Sequence, residues 1–154
     1  MRQRWHKATE SEITSVVLRL RQEDIEECYA MFGVHPQILF RNLDRDHGQI
    51  YSIVTRQGRP VALAGVHPLL SDPTIAQIWM CATEELLAHQ MEFLKYSRPF
   101  IEEVSAPFRL VYNYVDARNE VHLKWLKWCG FTFINELPRW GAQGRPFYTF
   151  LRIT

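Results

Sequence analysis

The fold of this chain is decided by one stretch of its sequence, Asn119-Glu120-Val121-His122-Leu123-Lys124-Trp125-Leu126-Lys127-Trp128-Cys129-Gly130-Phe131. The spacing of its apolar residues predicts a helix whose buried face carries His122, Trp125 and Leu126. Gly130 would end that helix, because glycine adopts the left-handed conformation that closes many helix C-termini. Phe131 would then begin a strand that is anchored in the core.

The remaining elements follow from hydrophobic periodicity and from the turn residues between them. The predicted strands are 16–20, 49–56, 59–66, 75–80, 109–115, 131–137 and 146–153. The predicted helices begin near residues 23, 36, 84 and 120. We expect Pro99 to kink or interrupt the third helix, with Ser97 available to cap a second segment that ends near Val104. The order β-α-α-β-β-β-α-β-α-β-β indicates a mixed sheet covered by helices.

Length and composition limit the classes of protein to consider. A chain of 154 residues, 47% of them hydrophobic, is expected to form one domain over residues 1–154. Its net charge of +1 favours neither nucleic acid nor an anionic membrane as a partner. No apolar run is long enough to span a membrane, and none follows the basic segment Met1–Lys7, so we expect no secretory signal. Three dispersed cysteines without a C-x-x-C pair indicate a reducing compartment.

The 119–131 stretch and the element order together resemble the GNAT N-acetyltransferase family. In that family an Asn follows the fifth strand, one helix comes next, and Gly-Phe enters the following strand. Asn119, Gly130 and Phe131 match this spacing. The resemblance covers nearly the whole chain and implies a mixed, mostly antiparallel α/β sheet flanked by helices.

The first family feature that this chain lacks is the cofactor loop. The family carries Q/R-x-x-G-x-G/A after the fourth strand, where backbone N–H groups hold the cofactor phosphates. This chain has Met80-Cys81-Ala82-Thr83-Glu84-Glu85-Leu86. No glycine allows close approach to a phosphate, Glu84 and Glu85 would repel one, and Thr83 is typical of a helix N-cap. We therefore expect no cofactor, or weak binding of acetyl-CoA, whose contacts would then be Cys81, Ala82, Thr83 and Asn119.

The second missing feature is the general acid. Many family members place a Tyr seven positions after the Asn to protonate the departing thiolate, and this chain has Leu126 there. Leucine has no proton to donate, so Leu126 is expected in the core and no catalytic residue is assigned from sequence. Tyr112, Tyr114 and Tyr148 are the phenols that the fold could bring close instead, and we expect all three to be structural.

Within the family, the stretch from Trp79 to Phe131 is similar to the internal virion, or head-assembly, proteins of short-tailed bacteriophages. The shared features are Trp79, a long polar third helix, an aromatic fifth strand, Asn119 and the segment 124–127. This resemblance implies a catalytically degenerate protein that acts through contacts with virion or host proteins in virion assembly or genome delivery, in the host cytoplasm or the virion. The alternative is an acetyl-CoA-dependent N-acetyltransferase with a divergent cofactor loop.

The last two predicted strands are joined by a loop with the composition of a contact site, Arg139-Trp140-Gly141-Ala142-Gln143-Gly144-Arg145. Trp and Arg are frequent at interface hot spots, so Arg139, Trp140 and Arg145 are the predicted partner-binding residues. In the alternative, Trp140 folds back onto the sheet and stabilises the hairpin. The GxxG pattern within the loop is weak support for RNA binding, because a hairpin turn explains it.

Other candidate chemistry has an ordinary structural explanation beside it. The six histidines are dispersed without H-x-x-x-H spacing, so no metal site is expected. His67 is either a base facing a cleft or a strand-end histidine with a structural hydrogen bond. Asp116 is either a base or the cap of the turn before the Asn119 helix. The cysteines are expected to be buried and inert.

Overall fold

The computed structural model describes residues 4–154, which form a seven-stranded sheet with helices on both faces. Part of the N-terminal segment considered for a secretory signal, residues 1–3, lies outside the described residues. The elements are β1 Trp5–Lys7, α1 Glu10–Val17, α2 Gln22–Phe32, α3 Pro36–Asn42, β2 Gln49–Val54, β3 Pro60–Pro68, β4 Ile75–Ala82, α4 Glu84–Ala88, α5 Gln90–Ser105, β5 Leu110–Asp116, α6 Glu120–Trp128, β6 Thr132–Trp140 and β7 Arg145–Ile153.

The sheet has the strand order β1-β2-β3-β4-β5-β7-β6. Every neighbouring pair is antiparallel except β4 and β5, which are parallel. The predicted class, a mixed and mostly antiparallel sheet flanked by helices, is confirmed. No helix within residues 4–154 is long and apolar enough to cross a membrane.

Two apolar clusters cover the two faces of the sheet. The larger packs α5 and α6 against one face, with Phe100, Ile101 and Leu126 almost fully buried. The smaller packs α1 and α3 against the other face around Val16 and Leu63. Side chains alternate along each strand, so neighbouring residues of β4 contribute to different clusters.

The predicted first strand at residues 16–20 is wrong, because Val16 and Val17 end α1, Leu18 and Arg19 form a turn, and Leu20 makes only an isolated bridge to Thr83. The Thr9 side chain accepts a hydrogen bond from the Glu12 N–H, and the Glu12 carboxylate accepts one from the Thr9 N–H. This capping box starts a helix at residue 10, and Ile13, Val16 and Val17 then fall on one buried helical face. Burial of that face outweighs the β-propensity of the two valines. The observed first strand is β1, paired antiparallel to β2.

Of the two effects predicted for Pro99, a kink or an interruption, the interruption is wrong. Helix α5 continues through Pro99, and the break lies earlier, at His89 between α4 and α5. Pro99 is on the exposed face of the helix, where the carbonyl left without its N–H partner can be hydrated. Ser97 caps nothing: its hydroxyl donates to the Phe93 carbonyl at 2.6 Å and accepts from the Trp125 indole at 2.9 Å.

The predicted helix end at Gly130 is confirmed. Gly130 has φ +86°, a left-handed conformation that only glycine adopts readily, and its N–H donates to the Lys127 carbonyl. Phe131 follows as a buried residue packed edge-on against Phe150, with ring centroids 5.2 Å apart. The 119–131 stretch therefore fixes the junction between α6 and the last hairpin.

Candidate functional site

The parallel strands β4 and β5 separate after a short paired segment. They pair only from Ile75 and Leu110 to Gln77 and Tyr112. The Thr83 N–H donates to a carbonyl of β3, and alternate residues of an antiparallel strand face the same partner. The backbone N–H and C=O groups of Met80 and Ala82 therefore point away from β3, toward β5. The separation of the strands therefore opens a wedge beside the end of β4, which we call the β4–β5 gap.

Two cavities meet at the β4–β5 gap from opposite faces of the sheet. The first, the α5–α6 cavity, has a volume of about 380 Å³ and is lined by residues of α4, α5 and α6. The second, the α2–α3 groove, has a volume of about 690 Å³ and lies beneath α2 and α3. Asp24, Met80 and His122 line both cavities. Molecules bound on the two sides would therefore approach each other at these three residues.

The imidazole of His122 is the titratable ring at this junction. It projects from the buried face of α6, 8% exposed, with its Nδ1 3.7 Å from Glu27 Oε2. Glu27 is held in place by the Asp116 N–H, which donates to its other oxygen at 2.7 Å. Burial disfavours the imidazolium, but the Glu27 carboxylate, with Asp24 beyond it, outweighs burial and raises the pKa of His122. His122 is thus equipped to accept a proton.

A buried ionic network closes one side of the β4–β5 gap. The Arg21 guanidinium donates to Asp24 Oδ1 and to Asn119 Oδ1, each at 3.0 Å. The Asn119 amide also donates to Asp24 Oδ1 at 3.0 Å, and the Ala82 N–H donates to Asp24 Oδ2 at 2.8 Å. The network joins the start of α2, the end of β4 and the start of α6.

The four residues predicted to contact acetyl-CoA occupy different environments. Ala82 and Asn119 are brought together, but both hydrogen-bond to Asp24. Cys81 lines the α2–α3 groove, on the face of the sheet opposite the α5–α6 cavity. Thr83 is the first residue before α4, but its hydroxyl donates to the Val61 carbonyl at 3.0 Å and caps no helix N–H. Thr83 is therefore the N-cap residue of α4, as predicted, but without a side-chain hydrogen bond to the helix.

The two glutamates expected to repel phosphate are not equivalent. Glu85 accepts hydrogen bonds from Arg59 at 2.5 Å and from Arg19 at 3.4 Å, so its charge is balanced by the two guanidinium groups. Glu84 is exposed to solvent. The repulsion of a phosphate expected from Glu84 and Glu85 is therefore weakened at Glu85 and stays a prediction.

The rings of the three tyrosines that could replace the missing acid pack against other aromatic rings. Leu126 is 1% exposed in the main core, as expected. Tyr114 lines the α2–α3 groove and packs against Trp140, with ring centroids 4.6 Å apart. Tyr112 packs edge-on against Tyr114, and Tyr148 against Phe133. Burial raises the pKa of Tyr112, with a contribution from Tyr114. Their assignment as structural residues stays a prediction.

His67 and Asp116 have the structural partners that the sequence left as alternatives. His67 Nδ1 lies 2.6 Å from the His47 carbonyl, and its Nε2 accepts from the Trp79 indole at 2.8 Å. Burial lowers the pKa of His67. Asp116 accepts from the Arg118 N–H and guanidinium in the turn before α6.

Of the three cysteines expected to be buried, Cys129 is buried and Cys28 and Cys81 are half-buried. Burial raises the pKa of Cys28 to about 11 and of Cys129 to about 12, so both thiols are unreactive at neutral pH. Within residues 4–154, no group of three or more His, Cys, Asp or Glu side chains is arranged to hold a metal ion.

The loop predicted to bind a partner is docked on α2. The Ala142 N–H donates to the Met31 carbonyl and the Gln143 N–H to the Ala30 carbonyl, both at 3.1 Å. Trp140 is half-buried against the sheet, whereas Arg139 and Arg145 are exposed. Trp140 thus has the packing of the folded-back alternative, and partner binding by these three residues stays a prediction.

Sequence reasoning missed the His122–Glu27 pair and the network around Asp24. His122 was placed on the buried face of its helix, but nothing in the sequence identified its partner 95 residues away. A signal was present in α2, where Asp24 and Glu27 are three residues apart and so lie on one side of a helix that faces the core. Two carboxylates on an inward face require buried partners.

Comparisons with known proteins identify the fold. No protein-family model and no curated protein sequence matches the chain. Among solved structures, it is similar to a GCN5-related N-acetyltransferase from Kribbella flavida (TM-score 0.75, 15% identity, covering 97% of this chain and 96% of that one). It is also similar to a ribosomal-protein-alanine N-acetyltransferase from Brucella melitensis (TM-score 0.72, 15% identity, 97% and 99% covered). A third is the aminoglycoside acetyltransferase AAC(6')-Ib in complex with coenzyme A (TM-score 0.69, 16% identity, 97% and 93% covered). Over nearly its whole length, the chain has the fold of the GNAT acetyltransferases.

Proposed function

We propose that this chain is an acetyl-CoA-dependent N-acetyltransferase with a divergent cofactor loop. The observation that carries the proposal is the meeting of two cavities from opposite faces of the sheet at His122. A transferase needs such an arrangement, because a donor and an acceptor must be held together with their reacting atoms in contact. The similarity to structures described as N-acetyltransferases supports the same choice.

The α5–α6 cavity fits the arm of acetyl-CoA better than its phosphates. Its walls include Met80, Leu87 and Trp125, and the backbone of Met80 is directed at the gap. Lys124 also lines the cavity and can meet a phosphate. The segment after β4 has no glycine, and the Ala82 N–H is engaged by Asp24. When bound, acetyl-CoA would supply the acetyl thioester. We expect its dissociation constant to lie above the low micromolar range, which corresponds to about −8 kcal/mol.

In this proposal His122 is the general base and Glu27 is its positioning residue. His122 would take a proton from the amine that enters through the α2–α3 groove, which leaves the nitrogen lone pair free to react. Glu27, 3.7 Å from the ring, would orient the imidazole and stabilise the imidazolium. Leu126 offers no acid for the thiolate that leaves. Of the three described residues that line both cavities, His122 is the one that would carry a proton for this thiolate.

The proposal is tested by following thiol release from acetyl-CoA in the presence of amines. We expect transfer by the wild-type chain, a loss of about 10²-fold or more in His122→Gln, and no change in His6→Gln, whose ring lies on the sheet edge. A general base must be neutral to accept a proton. Because the pKa of His122 is raised from the usual value of 6.5, its ring becomes neutral only above that pH, and activity should rise there. Glu27→Gln removes the charge that raises it and should move this rise to lower pH. No transfer above the uncatalysed rate with any amine would overturn the proposal.

The second candidate is a catalytically degenerate protein that works through protein contacts, as the resemblance to bacteriophage internal virion proteins implies. The observations that favour it are Leu126 in place of a phenol and the Ala82 N–H already bound by Asp24. It would act on virion or host proteins through Arg139, Trp140 and Arg145. Titration calorimetry with acetyl-CoA separates the candidates, since this reading expects no heat of binding. Capture of partners from infected cells tests it directly.

A further inference from the structure

The α2–α3 groove is large and has mainly apolar walls. Its volume of about 690 Å³ is in the range of sites that bury a drug-sized molecule. The apolar lining comes from α2, α3, the loop after β3 and strand β4, and includes Met31, Leu39, Phe40, Leu69 and Trp79. Trp79 presents an apolar ring, because its indole N–H is already donated to His67.

The ionisable side chains that line the groove are carboxylates and histidines. Its lining includes the carboxylates of Asp24, Glu27 and Asp44, together with three histidine rings. None of the described residues that line it is a lysine or an arginine. The Asp24 carboxylate is already paired with Arg21, whereas Glu27 faces the titratable ring of His122, so a cationic ligand would be attracted to Glu27 and an anionic ligand repelled.

Two of the three carboxylates lie at the inner end of the groove, and the third, Asp44, is exposed to solvent, where an ion pair contributes little. Asp24, Glu27 and His122 lie where the groove meets the β4–β5 gap. Phe32 and Leu70 also line the groove and are 50% and 90% exposed, so they form its rim. A ligand with one charged end and one apolar end would have a single favourable orientation.

We propose that the α2–α3 groove binds a primary amine carried on a bulky apolar body, with the amine at the gap and the apolar body toward the rim. The identification of this ligand as the acetyl acceptor rests on the proposed function. Its binding to the groove does not, since the walls and the carboxylates are present without any donor.

The experiment compares four small molecules by titration calorimetry in the absence of acetyl-CoA. Phenethylamine has both required parts, 2-phenylethanol lacks the charge, 3-phenylpropionate reverses it, and ethylamine lacks the apolar body. We expect phenethylamine to bind at least about tenfold more tightly than each of the others. Equal or tighter binding of the acid or of ethylamine would overturn the proposal.

Two neighbouring substitutions on α3 locate the site. Leu39 lines the groove, whereas Ile38 is 44% exposed and is not among the lining residues. Leu39→Trp should fill the groove and weaken phenethylamine at least about tenfold, with Ile38→Trp binding as the wild type does. Circular dichroism and a thermal melt check that both variants fold. Equal binding by the two variants would refute the site. Binding of phenethylamine, without acetyl transfer to it or to any other amine, would sustain this inference and refute the proposed function.

Discussion

Removal of the Asp24 carboxylate should destabilise the protein far more than removal of its neighbour Glu23. Both are ion-pair partners of Arg21, whose side chain is 4% exposed. Asp24 is 5% exposed and 3.0 Å from the guanidinium, whereas Glu23 is 50% exposed and 3.8 Å away. The two residues therefore offer a buried and an exposed partner of the same cation.

The magnitude follows from the charge that is left behind. Asp24→Ala leaves the buried Arg21 guanidinium without its close partner, and breaking a buried pair in this way costs about 3–5 kcal/mol. It also removes an acceptor from the N–H of Ala82 and from the amide of Asn119. Glu23→Ala removes an exposed pair, worth at most about 1 kcal/mol. For a domain of this size, the Asp24 change corresponds to a drop on the order of 10 °C in Tm.

Urea unfolding followed by circular dichroism measures both variants against the wild type. The double variant Arg21→Met/Asp24→Leu should regain part of the lost stability, because it removes the stranded charge. A free energy of unfolding for Asp24→Ala within about 1 kcal/mol of the wild-type value would refute this account. It would mean that the network adds little to the joining of α2, β4 and α6.

Three further predictions concern the α6 junction and the last hairpin, and thermal or urea unfolding checks each. Gly130→Val should cost about 1–2 kcal/mol, entirely from the φ of +86°, since an added Cβ meets no atom within 4 Å; an unchanged Tm would contradict the helix end assigned here. Gly141→Ala should be more destabilising than Gly144→Ala, because both have positive φ but only at Gly141 would the new Cβ come within 2.5 Å of the Ala30 carbonyl; equal losses would show that the loop is not docked on α2. Trp140→Ala should lower stability by about 2–3 kcal/mol, less than for a fully buried tryptophan; unchanged stability with weakened partner binding would restore the interface reading.

Local signals were sufficient for most of the fold and for the junction at Gly130. Gly130 could be predicted as a helix end because its left-handed conformation is a property of glycine itself. The start of α1 carried an equally local signal, the Thr9/Glu12 capping box, which the β-branched run at residues 16–20 obscured. Pro99 misled because the cost of a proline depends on whether the freed carbonyl faces solvent, and that is set by packing.

The site could not be predicted in the same way, because its contacts are remote in sequence. His122 meets Glu27 across 95 residues, and Asn119 meets Asp24 across the same separation. What the sequence did supply was the absence of the glycine loop and of the phenol at Leu126. Both absences concern the positions at which the GNAT proteins carry the cofactor loop and the general acid. They carry no information on which other side chains the fold brings to the β4–β5 gap.

Asp24 connects the absence of a glycine-containing cofactor loop after β4 with the stability of the domain. In a glycine-containing loop, free backbone N–H groups would be directed at an anion supplied by the cofactor. Here the Ala82 N–H is directed at an anion supplied by the chain, the Asp24 carboxylate, which Arg21 and Asn119 hold in position. The same hydrogen bond that joins α2 to β4 therefore competes with any ligand for the end of β4. A cofactor that binds this chain must either displace Asp24 or be held mainly through the α5–α6 cavity, and in both cases the affinity is weaker than a free loop would give.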